Sequence, residues 1–193
     1  MIDESTFDEV QDCQEIFRLL LHAASYPGEI VSIAAQAGKL AEKDKILLSL
    51  AFTLLDKETT FTVVDNDILA QTIAQLTYAK SLKEQAGLIF ITKHYQSVEM
   101  NEIIAQAAPG TLTEPHLNSV LFIMVDGFVE TGTVNLQGPG IKDSKPVGLT
   151  EYAIEWLNQR DRMEYEYPTG IDIFLVTLTG EIMAIPRKIK MEG

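Results

Sequence analysis

The sequence predicts an α/β fold, a single domain over residues 1–193 in which a mixed β-sheet is flanked by helices. Three observations predict it. Helical and strand patterns alternate three times in the first 107 residues, the order expected of a sheet with parallel pairs. Short apolar and β-branched runs joined by tight turns dominate the second half, which favours local antiparallel pairing. No stretch rich in Pro, Gly or Ser divides the halves, and 193 residues suit one domain that buries about 70% of its unfolded surface.

The first helix is expected to start near Phe7, because Thr6-Phe7-Asp8-Glu9 has the T-x-x-E form of a capping box. Val10, Cys13, Phe17, Leu20 and Ala24 recur at helical spacing and predict one buried face. Acids early and Arg18 and His22 late suit the helix dipole. Tyr26-Pro27-Gly28 ends the helix: the residue before proline leaves helical space, and Pro-Gly fits the centre of a type II turn.

A short strand over 29–33 follows, then a strongly apolar helix over 45–55 and a β-branched strand over 59–64. Asn66 or Asp67 can cap a helix to about Tyr78 that carries Ile68, Ile73 and Leu76. Residues 87–92 read as a buried strand and 98–107 as a short helix. Beyond them, strands are expected over 119–125, 128–136 and 145–149, the first two joined through a turn at Asp126-Gly127. A last helix over 151–165 leads into a hairpin, 171–176 against 182–185, turning at Thr179-Gly180.

The net charge of −13 argues against nucleic acid, whose binding depends on cations displacing counterions, and against an anionic membrane surface. A small anionic ligand stays open, because charges beyond roughly 8–10 Å are screened. Cys13 is the single cysteine, so no disulfide can form within the chain. The acidic start lacks the form of a signal peptide, and the longest apolar stretches fall short of the roughly 20 residues that span a bilayer. A cytoplasmic protein is expected.

His22, His94 and His116 fall in different elements without metal-ligand spacing, and Cys13 reads as a small buried hydrophobe. Gly138-Pro139-Gly140-Ile141 lacks the pattern of a P-loop. Its two glycines could let backbone N–H groups approach a phosphate, or could make a tight turn or bulge. By strand alternation Asp172 lies on the face of Phe174 and Val176, opposite Ile171, Ile173 and Leu175. A carboxylate there needs N–H donors or a cation. The hairpin brings Arg187 near it, as a structural clamp or as half of a ligand-binding edge. No second carboxylate or nucleophile pairs with it, so the sequence supports no general base.

Several segments, in this order and spacing, resemble the PhnH family over nearly the whole chain. They are Val10-Gln11-Asp12 with Phe17-Arg18-Leu19-Leu20 and Pro27-Gly28, then Gly110-Thr111 with Pro115, then Gly138-Pro139-Gly140-Ile141. Pro168-x-Gly170-Ile171-Asp172 and Ala184-Ile185-Pro186-Arg187 are the most specific. The resemblance implies a subunit of the bacterial carbon–phosphorus lyase system in phosphonate catabolism, working with PhnG, PhnI and PhnJ. With PhnL, that system joins an alkylphosphonate to the ribose carbon of ATP and displaces adenine, before a radical enzyme cleaves the carbon–phosphorus bond. The chain would then be a required subunit of the transferase complex (ribose 1-methylphosphonate 5-triphosphate synthase), not catalytic alone, with the nucleoside chemistry in PhnI.

The resemblance also implies homodimers of the isolated subunit and no cofactor. The fold would be similar to the large domain of fold-type-I pyridoxal-phosphate transferases without their cofactor site, and no lysine here stands in a Schiff-base context. Arg18, Gly138, Gly140, Pro168, Gly170, Asp172, Pro186 and Arg187 make the expected functional or interface patch. Pro168, Gly170, Asp172 and Arg187 among them read as a rigid corner. The alternative is a ligand-binding or catalytic subunit handling ATP or phosphonate at the edges around Gly138 and Lys142 and around Asp172 and Arg187.

Overall fold

The computed structural model describes residues 6–192, and its first helix, α1 (Gln11–Ser25), begins later than the capping box placed it. Asp8 takes the capping role: its Oδ1 accepts from the N–H groups of Val10 (2.9 Å) and Gln11 (2.8 Å). The buried face is also rotated from the expected one. Asp12, Ile16, Leu20 and Ala23 point inward, while Val10 and Phe17 are exposed and Cys13 is half-buried. Two apolar stripes lie side by side on this helix, and its contacts with the next long helix and the sheet select the second. The type II turn forms as expected, with Gly28 at φ 77° and Glu29 N–H donating to Tyr26 O.

After β1 (Ile30–Ser32) and the single turn α2 (Ala34–Ala37) come α3 (Lys45–Leu54) and β2 (Thr60–Val63). Asn66 caps α4 (Asp67–Thr77), of which Ile73 is fully buried but Ile68 and Leu76 are exposed. Then follow β3 (Lys80–Ser81), β4 (Leu88–Ile91) and α5 (Ser97–Gln106). A 3-10 turn, Pro115–Leu117, precedes β5 (Val120–Val125). The remaining elements are β6 (Val134–Gln137), β7 (Lys145–Val147), α6 (Glu151–Asp161), β8 (Asp172–Thr177), β9 (Glu181–Ile185) and β10 (Lys190–Glu192).

Seven strands form the main sheet in the order β1-β9-β8-β5-β4-β2-β3, and β6 lies between β10 and β7 in a separate three-stranded sheet. In the main sheet β8, β5, β4, β2 and β3 are parallel, while β9 runs against both its neighbours. One face packs on α1, α3 and α4 through Phe61, Phe90 and Phe122. The other packs on α5, α6 and the small sheet through Ile123, Trp156 and Leu136.

Two expectations about the second half are corrected. Asp126-Gly127 does not join a hairpin, because β5 sits between β4 and β8 and is parallel to both. Its unbroken apolar run, VLFIMV, is buried on both faces, the pattern of a central parallel strand rather than of a half-exposed antiparallel one. The strand expected over 128–136 begins only at Val134 and pairs in the small sheet. Helix α6 ends at Asp161, short of residue 165, and Glu164 at φ 46° takes the chain out of helical space.

Candidate functional site

At the amino-terminal end of β8, segments distant in sequence meet around one carboxylate. Asp172 Oδ1 accepts from the Arg187 backbone N–H (2.8 Å) and from Arg187 Nε (3.2 Å). Its Oδ2 accepts from Arg187 Nη2 (2.6 Å) and from Asn118 Nδ2 (2.9 Å). Arg187 continues outward, donating from Nη1 to Pro115 O and from Nη2 to Asn118 Oδ1, both at 2.6 Å. Both side chains are 19% exposed. Four of the five guanidinium N–H groups and both carboxylate oxygens are thus engaged within the chain. This is a closed clamp, with little capacity left for a ligand.

The backbone around the clamp is fitted to it. Gly170, at φ 143°, lies so close to Arg187 that an added Cβ would stand 3.0 Å from the Arg187 Cβ. Its N–H donates to Pro109 O, and Pro168 leads into it through Thr169, which donates twice to Glu166 O. Pro186 O accepts from Ile189 N–H and, at 3.4 Å, from Arg160 Nη1.

Gly138 and Gly140 lie on a neighbouring segment. Ile141 N–H donates to Gly138 O across a turn with Gly140 at φ 89°, the geometry of a type II turn with Pro139 ahead of the glycine. The tight turn expected there is what forms. A Cβ added at Gly138 would meet the Lys188 carbonyl, and one at Gly140 would meet Ser25 and Pro27 at the end of α1, so the turn packs closely against both the corner and the first helix. Arg18 stands apart, exposed on α1, with no hydrogen bond or ion pair to the clamp.

Two openings adjoin these residues. An apolar groove of about 230 Å³ is walled by Phe17 and Leu21 of α1 and floored by Leu88, Val120, Phe122 and Phe174. Val120 pairs with Asp172 and Phe122 with Phe174, so the floor runs straight into the clamp. The rings of Phe122 and Phe174 stack along it with centroids 5.0 Å apart, and fully buried Phe90 continues the stack from Phe122 at 5.5 Å. Phe17 is 51% and Leu21 57% exposed, a contiguous apolar surface left open to solvent. A second, polar cleft of about 250 Å³ lies between Tyr26 and Glu29 on one side and Gly140, Lys142, Ser144 and Lys145 on the other.

Sequence reasoning missed Asn118 and Arg160. Asn118 is buried, and the one signal for it is a polar residue at the foot of an apolar strand, as with Asp172 itself. Arg160 is 2% exposed and donates to Ile185 O (2.9 Å) and Ile189 O (2.7 Å), fixing the segment that carries Arg187. Burial pushes its pKa down, opposed by the adjacent Asp161 carboxylate. An arginine inside an amphipathic helix carries no pattern that marks it as buried.

The histidines do not converge. His22 meets Glu29 at 3.0 Å, His94 stacks on Tyr152 with centroids 4.1 Å apart, and His116 lies in the 3-10 turn. Among the described residues no helix is long and apolar enough to cross a membrane.

Comparison with known proteins places nearly the whole chain in one family. The sequence model described as bacterial phosphonate metabolism protein (PhnH) matches residues 5–192. The chain is also similar to HtxG of Stutzerimonas stutzeri, which its name makes a candidate C–P lyase subunit. The two are 26% identical over 176 residues, 90% of this chain and 83% of that protein.

Proposed function

Because the chain belongs to the PhnH family of bacterial phosphonate metabolism proteins, we propose that it is an accessory subunit of a carbon–phosphorus lyase system. In this reading the chain acts as one unit beside PhnG-, PhnI- and PhnJ-type subunits in the cytoplasm. It contributes to the step that joins an alkylphosphonate to the ribose of ATP, without itself supplying the reacting groups. A fold related to the large domain of fold-type-I pyridoxal-phosphate transferases belongs to the same reading, supported by a helix-flanked sheet in which β9 alone opposes the other strands.

The observation that carries the proposal is the open apolar groove ending on a clamp whose hydrogen bonds are already spent. Such a surface suits a neighbouring subunit better than a polar ligand. Two copies of this chain, each with a net charge of −13, repel one another, which favours a different subunit as occupant in the assembly. A homodimer on the same surface is the form proposed for the isolated chain. Co-expression with the partner subunits tests the reading. Phe17→Asp is expected to abolish co-purification while thermal unfolding stays that of the parent. A variant that assembles normally overturns it.

The polar cleft favours a second reading, a subunit that handles ATP or a phosphonate around Gly138 and Lys142. Lys142 and Lys145 line it, and the N–H groups of Gly140, Lys142, Asp143 and Ser144 donate to no acceptor among the described residues. Saturable binding of methylphosphonate or ATP that is lost in Lys142→Ala would support this reading, and a blank titration would remove it. Arg187 and Asp172 have too few free hydrogen-bonding atoms to join in.

A further inference from the structure

The main sheet has a topological switch point far from the clamp. Helix α4, which follows β2, packs on one face, whereas α5, which follows β4, packs on the other. Where the helices part, one side of β2 is left without a covering helix and a crevice opens at its carboxyl end. Open α/β sheets bind ligands at such points, where strand ends and helix N-termini present polar groups to a shared space.

A crevice is present there. It measures about 460 Å³, within the roughly 300–1,000 Å³ of small-molecule sites. Val64, Ile89 and Ile103 give it an apolar floor, and Gln85 and Gln106 present amides from its sides. Asp65 and Asp67 stand at one end and Lys83 comes from the segment before β4. The side chains of Asp67 and Lys83 make no hydrogen bond or ion pair with any described residue. Asp65 is held in place: Tyr95 donates its hydroxyl to it at 3.1 Å and Lys93 Nζ lies 3.2 Å away. Its backbone sits at φ 52°, the left-handed region that non-glycine residues rarely adopt. Strain of this kind gathers at binding sites, where surrounding contacts hold it.

We propose that this crevice binds a nucleotide. Carboxylates accept hydrogen bonds from the vicinal hydroxyls of ribose, the part given to Asp65 and Asp67. Lys83 meets the phosphate, the apolar floor lies under the base, and Gln85 and Gln106 bond to its edge. Two carboxylates at the entrance disfavour a bare anion such as inorganic phosphate. The site is separate from the groove and does not depend on the accessory-subunit reading.

Calorimetric titration of the full chain with AMP, 2′-deoxy-AMP, adenosine and inorganic phosphate tests it. A nucleotide is expected to bind saturably, adenosine and the 2′-deoxynucleotide about tenfold or more weaker, and inorganic phosphate not at all. Asp67→Ala and Lys83→Ala, both at exposed positions, should each weaken nucleotide binding about tenfold with unchanged unfolding temperature. Phe17→Asp should leave it unchanged, which separates this site from the groove. The proposal is overturned if no nucleotide binds at millimolar concentration, if inorganic phosphate binds as well as AMP, or if both variants bind like the parent.

Discussion

Arg187 holds Asp172 with three hydrogen bonds at once, one from its backbone N–H and two from its guanidinium, across the open end of the β8–β9 hairpin. The two sit fifteen residues apart and both are largely withdrawn from water. Removing the guanidinium leaves a half-buried carboxylate with only the Asn118 amide and one backbone N–H. Arg187→Ala is therefore expected to cost about 2–3 kcal/mol of stability, measured by urea unfolding. A double-mutant cycle with Asp172→Ala should return a large part of that loss as coupling. Additive losses would mean that the pair is not the unit described here.

Gly170 should tolerate no side chain. Its φ of 143° and the 3.0 Å approach to the Arg187 stem both oppose a methyl group. Gly170→Ala is expected to lose about 1–3 kcal/mol, while Gly127→Ala, in open space, should change stability by less than about 0.5 kcal/mol. The contrast is read in the same unfolding experiment.

Arg160 fixes the far side of the corner from within α6. Arg160→Met keeps most of the side-chain volume but strips donors from the Ile185 and Ile189 carbonyls. The expected loss is about 2–4 kcal/mol. Hydrogen exchange should quicken first over 185–189, ahead of the sheet centre.

Asp12 gives the fold an acid-sensitive point. Burial by itself would raise its pKa, but the Lys39 ammonium at 2.6 Å and the Asp8 N–H outweigh that and hold it below the usual carboxylate range. A depressed folded-state pKa contributes stability above the unfolded value, about 4, and loses it as pH falls through the folded value. Unfolding measured between pH 5 and 2 should therefore lose stability less steeply in Asp12→Asn than in the parent. Equal slopes would remove Asp12 from the acid response.

Leu21 tests the groove without touching the core. With its side chain 57% exposed, Leu21→Asp is expected to shift stability by no more than about 0.5 kcal/mol. Dynamic light scattering and pull-down should nevertheless report weaker association, because the substitution places a charge on the apolar wall.

The sequence alone was sufficient for the alternation of helices and strands, the type II turn at Tyr26-Pro27-Gly28, the β8–β9 hairpin and the face on which Asp172 lies. Each of these rests on interactions within a few residues, or on the two-residue period of a strand. Its resemblance to a family was legible for a different reason: the order and spacing of short segments, Pro168-x-Gly170-Ile171-Asp172 and Ala184-Ile185-Pro186-Arg187 above all, carry it without reference to the fold.

Tertiary structure decided the rest. Which of two adjacent stripes α1 buries depends on α3 and β9, and whether β5 takes an antiparallel or a parallel partner depends on β8, fifty residues on. The convergence of Pro115, Asn118, Asp172 and Arg187, the groove opening beside them and the crevice at the switch point are likewise products of long-range packing. Local propensities are worth a fraction of a kcal/mol per residue, whereas burying a strand between two neighbours is worth several, so pairing and register follow the global arrangement wherever the two compete.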